Sequence, residues 1–267
     1  MRRWYKFLIS NKYNEDFKDR FLFTNYQAIQ NNKNFKDIFN FENFKKNEVF
    51  FNQYNFLKNN LDLDKKTLFI GSSWGEAEFF LKDKFKIVAS DSEDRYVEFH
   101  KNNTDLNFIK LNILNIENHN LKYEQIVVNN IEYLFDDKEL KTCIENISKI
   151  SSPGAKIFVI FRSRDGFLIK FIDQILTFAE TYLLYLIKRI KKKVFFSKSH
   201  HGFRRSLKKF KKTWIENKFE FQSIHEDLFE VDYNRSRIIQ KLKISGFLSK
   251  IFFKSNPYLN ILIFKKI

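Results

Sequence analysis

The run of residues 67–76, Thr-Leu-Phe-Ile-Gly-Ser-Ser-Trp-Gly-Glu, constrains the fold more than any other stretch of this chain. An apolar segment stops at Gly71, and a helical pattern starts at Glu76. This order is typical of a buried strand, a tight turn and a helix. We call residues 71–75 the glycine loop. Turns of this type occur in several unrelated kinds of site, so the rest of the chain must discriminate among them.

From residue 67 onwards, apolar segments alternate with helical patterns. Candidate strands lie at 68–70, 87–89, 108–109, 126–128 and 157–161, with helical patterns near 75–82, 93–101 and 137–150 between several of them. Two later strands are expected at 219–224 and 259–264. The alternation predicts an α/β fold with a doubly wound, mostly parallel, seven-stranded Rossmann-like sheet. The sequence Ser-Ser-Pro-Gly-Ala at 151–155 predicts a turn directly before the fifth strand.

The first part of the chain has a different pattern. Residues 1–66 contain short helical repeats but no alternating strand run. We therefore expect an N-terminal helical cap over residues 1–64 and one large domain over residues 65–267. A chain of 267 residues with 43% hydrophobic side chains is long enough to bury such a core.

Charge and cysteine content restrict the function only loosely. The formal net charge is +16, which is explained either by a codon bias towards lysine or by an anionic partner. Cys143 is the only cysteine, so the chain forms no internal disulfide and no cysteine-based zinc site, and we predict no metal site. The first residues lack a sustained apolar segment, so no signal peptide is predicted and a cytoplasmic location is expected.

The predicted strands end in side chains that suit a nucleoside. Parallel sheets bind ligands outside the carboxyl ends of their strands. Asp91 follows the second strand and can accept hydrogen bonds from ribose hydroxyls, while Asn112 and Ile113 after the third suit the edge and face of an adenine. Asn129 ends the fourth strand. Together with the glycine loop, these residues predict one nucleoside-sized crevice.

Two other interpretations of the glycine loop are weaker. A dinucleotide fingerprint G-x-G-x-x-G needs glycine where Ser73 and Glu76 stand, and its pyrophosphate would meet an acidic residue. The loop also matches G-x-S-x-G, which places Ser73 at the nucleophile position of an α/β-hydrolase serine esterase. That fold has several strands before the serine, and residues 1–66 offer none. The esterase stays an open alternative.

Taken together, residues 68–76, Asp91, 108–116, 124–134 and 150–160 resemble the ordered motifs of class I S-adenosylmethionine (SAM)-dependent methyltransferases, in particular the broad small-molecule group. The resemblance covers about residues 65–165. Departures from the family pattern are Phe69 for an acidic residue, Ser73 for glycine, Asn112 for aspartate and Ala155 for glycine.

The resemblance implies SAM as cofactor and assigns a role to each strand end. It places the amino-acid end of SAM at Gly71, Ser72, Ser73 and Gly75, the ribose at Asp91, the adenine at Asn112 and Ile113, and the reacting face near Asn129. The implied activity is methyl transfer to a small-molecule or lipid-like acceptor. A catalytically silent relative that binds a membrane surface is a further alternative.

Methyl transfer to a hydroxyl is helped by a general base within hydrogen-bond reach. Glu132 follows the fourth strand, and His200 and His201 follow a long insertion, so these three are the candidates. The more common explanations are a structural glutamate and exposed loop histidines.

The insertion over residues 166–205 carries an amphipathic helical pattern at 167–193. Charges interrupt it, which disfavours a membrane span. The C-terminal end of this pattern is basic at 188–193. A second basic cluster comprises Arg204, Arg205, Lys208, Lys209, Lys211 and Lys212. We expect either a lid over the acceptor pocket or a peripheral contact with an anionic membrane surface through 167–193, whereas nucleic acid is disfavoured as a partner.

Overall fold

The computed structural model describes residues 39–45, 48–116, 121–161, 205–228 and 259–267. Its helices are α1 (Phe41–Lys45), α2 (Glu48–Asn60), α3 (Glu76–Leu81), α4 (Asp94–Asn103), α5 (Asp137–Ile150) and α6 (Leu207–Glu216), with a 3₁₀ turn at Glu132–Leu134. Its strands are β1 (Thr67–Ile70), β2 (Ile87–Asp91), β3 (Phe108–Lys110), β4 (Tyr123–Asn129), β5 (Ser151–Phe161), β6 (Phe219–Leu228) and β7 (Leu259–Lys266).

The seven strands form one sheet in the order β3-β2-β1-β4-β5-β7-β6. Strands β1 to β5 pair in parallel, and β7 lies antiparallel between β5 and β6. The predicted α/β, doubly wound, mostly parallel seven-stranded sheet is confirmed. Each candidate strand of the sequence pattern falls within an observed one.

The central strands carry apolar side chains on both faces because both faces of the sheet are covered. In β1, Leu68 and Ile70 point to one face and Phe69 to the other, as the two-residue repeat of a strand requires. On the first face, α5 and α6 bury Ile144, Ile147, Phe210 and Trp214. On the second face, α2 and α3 bury Leu57 and Leu81 beside Phe69.

The prediction that residues 151–155 form a turn before β5 is wrong. Strand β5 already begins at Ser151, and Pro153 and Gly154 lie within it. Between its pairs with Tyr123 and Gln125 of β4, the strand advances from Ser151 to Lys156, so extra residues bulge out of the ladder. Gly154 adopts φ 73° in this bulge, which explains why turn-forming residues stand there.

Helices α1 and α2 lie within the segment expected to be a helical cap. Phe44, Tyr54 and Leu57 are buried in the same apolar cluster as Phe69 of β1. The division into a cap over 1–64 and a domain over 65–267 stays a prediction. The insertion helix at 167–193 lies outside the described residues, and within those that are described no helix has the length and apolarity needed to cross a membrane.

Candidate functional site

The carboxyl ends of β1, β2 and β4 meet at one edge of the sheet. The chain runs from β1 to β2 and β3 on one side, whereas β4 and β5 lie on the other. A parallel sheet opens a crevice at this switch point, because the loops that leave the two neighbouring strands diverge. The glycine loop leaves β1 at this point.

The glycine loop is tied to the end of β2 by its backbone. The N–H groups of Gly71 and Ser72 both donate to the carbonyl oxygen of Ser90, at 3.0 and 2.9 Å. The Gly75 N–H closes the turn by donating to the Ser72 carbonyl oxygen at 2.8 Å. At Gly71 the φ angle is 76°, and an added Cβ would overlap the Cγ2 atom of Ile131. Glycine is therefore required where the loop passes the segment after β4.

Ser73 adopts a left-handed backbone conformation, which glycine reaches without strain. Its φ angle is 50°, which costs a residue with a side chain about 1–2 kcal/mol. The Ser73 N–H donates to Oδ2 of Asp91 at 3.0 Å, and this charge-assisted hydrogen bond offsets part of the strain. The Ser73 hydroxyl is hydrogen-bonded to Tyr96. Serine thus preserves the shape of the loop.

Asp91 connects the loop to the predicted ribose position. Its Oδ1 accepts a hydrogen bond from the Glu93 N–H at 3.2 Å, in addition to the bond from Ser73. Burial raises the pKa of this carboxyl, and backbone N–H groups and the charge of Arg95 oppose the rise. A carboxylate has about four acceptor positions, so Asp91 can accept further hydrogen bonds from a ligand hydroxyl.

The end of β3 is organised by hydrogen bonds within the protein. Asn112 is exposed, and its Oδ1 accepts from the Leu114 N–H at 3.0 Å. Ile113 is buried, and its carbonyl oxygen accepts from the Asn146 amide at 2.9 Å. The backbone after β3 is therefore well fixed. Contact of Asn112 and Ile113 with an adenine stays a prediction.

Asn129 at the end of β4 joins two residues that sequence reasoning missed. Its Nδ2 donates to Oε1 of Glu78 on α3 at 2.8 Å, and its Oδ1 accepts from Nε2 of Gln53 on α2 at 3.4 Å. Glu78 and Gln53 are both buried. The helical pattern placed Glu78 just after the glycine loop, but nothing in the sequence connects Gln53 with either partner.

Three carboxyl groups border this crevice, and burial raises the pKa of each. Burial raises the pKa of Glu78, although the hydrogen bond from Asn129 opposes the effect. Burial and the neighbouring Glu78 raise the pKa of Glu76 to about 7. With Asp91, three carboxyls surround the loop. A cationic ligand would favour the ionised form of these carboxyls, whereas a pyrophosphate would disfavour it.

The segment after β4 is held by Arg205. Its Nη1 donates to the Glu132 carbonyl oxygen at 2.8 Å, and its Nη2 donates to the Phe135 carbonyl oxygen at 2.7 Å. Its Nε pairs with Asp137 at 3.2 Å. The Arg205 side chain is only 1% exposed, so the second basic cluster predicted from the sequence does not include it as a surface charge.

Of the three candidate bases, only Glu132 lies among the described residues. Its side chain is buried, and its charge acts on Arg205 and on the Cys143 thiol of α5. A general base must come within hydrogen-bond distance of the acceptor. Because the Glu132 side chain is buried beside α5, its position disfavours that contact. The base role of Glu132 stays a prediction. His200 and His201 lie outside the described residues.

The esterase interpretation of Ser73 gains no support from the described part of the chain. The glycine loop follows the first strand described, with no strand series before it. Of the two described histidines, His100 lies beside the loop, and its Nδ1 is 2.9 Å from the Thr104 hydroxyl. Burial lowers the pKa of His100 to about 4, while the Ser73 hydroxyl is bonded to Tyr96. No serine–histidine pair forms there.

Solved structures with the same architecture are numerous. A SAM-dependent methyltransferase from Methanosarcina mazei has a TM-score of 0.52, with 17% identity, 79% of this chain covered and 97% of that chain. The fold is that of the class I SAM-dependent methyltransferases. One from Thermotoga maritima has a TM-score of 0.53, with 15% identity and coverage of 82% and 89%. A TehB-like one from Corynebacterium glutamicum has a TM-score of 0.51, with 10% identity and coverage of 80% and 87%.

The methyltransferase likeness is therefore one of structure. No family model matches the sequence, and a search of the curated proteins finds no relative. At these low identities the shared property is the fold. The function must be argued from the residues that line the crevice.

Proposed function

We propose that this protein is a SAM-dependent methyltransferase that acts on a small-molecule or lipid-like acceptor. The observation that carries the proposal is the glycine loop at the switch point of a β3-β2-β1-β4-β5-β7-β6 sheet, anchored through Ser73 to Asp91. The strand order supports the fold of the enzyme class, and the anchored carboxylate supports a ligand with ribose hydroxyls.

The residues of the crevice fit SAM better than they fit a dinucleotide. SAM carries a positive sulfonium and a positive amino group, and the carboxyls of Glu76, Glu78 and Asp91 surround the loop. A pyrophosphate would face the same carboxyls. Asp91 keeps acceptor capacity for the ribose, since the hydrogen bonds from the Ser73 and Glu93 N–H groups leave acceptor positions open on its carboxylate.

SAM would supply an electrophilic methyl group, which passes in line from sulfur to the acceptor while the acceptor loses a proton. The chain's part is to hold donor and acceptor at attack distance and to exclude water. The glycine loop and Asp91 would hold the adenosyl part. The segment after β4 would face the acceptor, with Glu132, His200 or His201 as the candidate group that accepts the proton.

A transfer assay tests this proposal and sorts the acceptors. The protein would be incubated with methyl-tritiated SAM and a small-molecule or a lipid extract, and the label would be followed into water-soluble and organic-soluble products. Label is expected in one fraction and absent with Asp91→Asn. Binding of SAM without transfer to either extract would favour the catalytically silent alternative. No binding and no transfer would contradict the proposal.

We also propose an anionic membrane surface as partner, which would bring the enzyme to a lipid-like acceptor. Besides the predicted amphipathic segment 167–193, the exposed side of α6 supports this proposal. A groove there is lined by Leu207, Lys208, Lys211, Lys212, Ile215 and Glu216. Lysines beside apolar side chains suit a lipid surface with anionic head groups, and a cytoplasmic protein would meet such lipids at the inner leaflet.

Vesicle sedimentation tests this second part. Binding is expected to vesicles that contain anionic lipid, to weaken at high salt, and to weaken further when Lys208, Lys211 and Lys212 are changed to glutamine. Neutral vesicles are the control. Equal binding to both kinds of vesicle, or binding to neither, would contradict the role of charge.

A further inference from the structure

Three polar side chains from three separate elements form a continuous relay beside the glycine loop, with Gln53 and Glu78 buried and Asn129 half-buried. Gln53 on α2 donates to Asn129 at the end of β4 at 3.4 Å, and Asn129 donates to Glu78 on α3 at 2.8 Å. These pairs are 76 and 51 residues apart in the chain. Gln53 is 8% exposed and Glu78 is 3% exposed. Buried polar groups are kept when each has a partner, and the relay supplies partners from α2 to α3.

The relay orients the Glu78 carboxyl and supplies no positive charge to it. Asn129 accepts the Gln53 N–H with its oxygen and so presents its own N–H₂ to the Glu78 carboxylate. Within the described residues, Glu78 forms no ion pair with a lysine or arginine. Its charged neighbours are the carboxyl of Asp91 on β2, next to Arg95 of α4, and that of Glu76 on α3. A buried carboxylate in such surroundings is stabilised by an incoming cation.

The position of the relay in the sheet determines which part of a bound nucleoside would contact Asn129 and Glu78. The strands lie in the order β2-β1-β4, so Asp91 and Asn129 stand on opposite sides of the glycine loop. A nucleoside whose ribose binds Asp91 and which crosses the loop would present its 5′ substituent to Asn129 and Glu78. In SAM that substituent is the amino-acid end, which carries a positive amino group.

We propose that the Gln53–Asn129–Glu78 relay is a positioning device by which the N-terminal helix α2 fixes the Glu78 carboxylate to bind the cationic amino group of the cofactor. This inference rests on the proposed function, because it takes SAM as the ligand. It makes α2 part of the ligand site. It also assigns a binding role to Glu78, a residue outside the glycine loop.

Two ligands separate this role from a purely structural one. S-adenosylhomocysteine has the amino-acid end, whereas 5′-methylthioadenosine keeps the nucleoside and lacks the amino group. Calorimetry with Glu78→Gln is expected to show affinity for S-adenosylhomocysteine lowered about 10- to 100-fold, the usual range for a lost hydrogen bond to a charged group. Affinity for 5′-methylthioadenosine should change less than about threefold. Glu98→Gln, an exposed change on α4, is the control.

The outcomes are distinguishable. Equal losses for both ligands would show that Glu78 only supports the fold of the loop and would overturn the proposal. An unchanged affinity for S-adenosylhomocysteine would overturn it as well. If the wild type binds neither ligand, the proposed function itself fails. Wild-type binding of both ligands with a selective loss in Glu78→Gln supports the inference.

A second variant, Gln53→Leu, and the pH dependence of binding test the proposal independently of the affinity measured for Glu78→Gln. Gln53→Leu should reduce binding of S-adenosylhomocysteine about 3- to 10-fold and spare 5′-methylthioadenosine, whereas Asn52→Ala on the exposed side of α2 should change neither. In the wild type, S-adenosylhomocysteine should bind more weakly as the pH falls and Glu78 takes up a proton. Glu78→Gln should flatten that profile, while Glu76→Gln should retain most of it. A profile that survives in Glu78→Gln would overturn the proposal.

Discussion

Two regions at the same edge of the sheet each contain a buried ionisable side chain: Arg205 packs against the segment after β4, and Glu78 lies at the start of α3. Within the described residues, only Arg205 has an oppositely charged partner. Arg205 donates to the Glu132 and Phe135 carbonyl oxygens and pairs with Asp137. Glu78 receives the Asn129 amide and has carboxyls as its charged neighbours. The arginine is matched by its acceptors, whereas the glutamate is hydrogen-bonded but lacks an opposite charge.

This difference separates groups that stabilise the fold from groups arranged for a ligand. A fully hydrogen-bonded buried charge contributes to stability mainly because its removal leaves its partners unsatisfied. A buried charge without a counter-ion lowers the stability of the free protein and gains its favourable interaction when a ligand binds. The two regions touch through Ile131 and Gly71, so each can be perturbed and the effect on the other measured.

The largest effect is expected at Arg205. Arg205→Met would leave two buried carbonyl oxygens without their donor and should lower the free energy of unfolding by about 4 kcal/mol. Urea unfolding followed by circular dichroism measures this loss. Lys208→Met removes an exposed charge three residues along the chain and should change stability by less than about 0.5 kcal/mol. Equal losses in the two variants would contradict the role of Arg205.

Gly71 is the point where the two regions meet, and its replacement ranks second. Gly71→Ala forces a side chain into the left-handed region and against Ile131, which should cost about 3 kcal/mol and abolish ligand binding. Gly154→Ala is matched in φ, at 73° against 76°, but its added Cβ would meet nothing within 4 Å. The control should lose only about 1–2 kcal/mol and keep full affinity. A similar loss of affinity in Gly71→Ala and Gly154→Ala would show that the contact with Ile131 is not the cause of the loss.

The unbalanced carboxyls predict a pH effect of intermediate size. Burial and the Glu78 charge raise the pKa of Glu76 from an ordinary value of 4.5 to about 7. Glu76 therefore holds its proton more tightly in the folded chain, and the free energy of unfolding falls as the pH rises from about 4.5 to about 7. Because solvent screens part of the effect, Glu76→Gln should gain on the order of 2 kcal/mol at pH 8 and much less at pH 5. A gain that does not vary with pH would contradict the charge explanation.

The smallest effect is expected at Ser73. Ser73→Gly relieves the left-handed strain and retains the backbone N–H that bonds to Asp91, so stability should rise by about 0.5–1 kcal/mol and ligand affinity should stay within about twofold. Lys218→Gly, at φ 67° and outside the crevice, is the matched control and should gain a similar amount. A serine-directed fluorophosphonate should not label the wild type. Labelling of Ser73 would revive the esterase alternative.

Local patterns predicted the parts of this structure that depend on local chemistry. The apolar runs predicted the strands because both faces of the sheet are covered, and the residues at 71–75 predicted a tight turn. Asp91 was singled out because it ends an apolar strand, and in the structure it accepts a hydrogen bond from the glycine loop. The alternation of strands and helices predicted the doubly wound sheet.

The contacts that distinguish the two regions are not local. Arg205 reaches Glu132 across 73 positions, and Gln53 reaches Asn129 across 76. One sequence contains no signal that pairs such positions, so the basic cluster predicted from the sequence did not separate the buried Arg205 from its basic neighbours. The boundary of β5 was wrong for a related reason, since a bulge and a turn use the same proline and glycine.

The most direct test of the central claim is calorimetric titration of the wild type and Asp91→Asn with S-adenosylhomocysteine. We expect saturable binding with one site in the wild type and a loss of at least about tenfold in affinity for Asp91→Asn, because the ribose then loses its charged acceptor. Gly154→Ala should bind as the wild type does. Absence of binding by the wild type, or equal binding by Asp91→Asn, would contradict the assignment of this crevice to SAM.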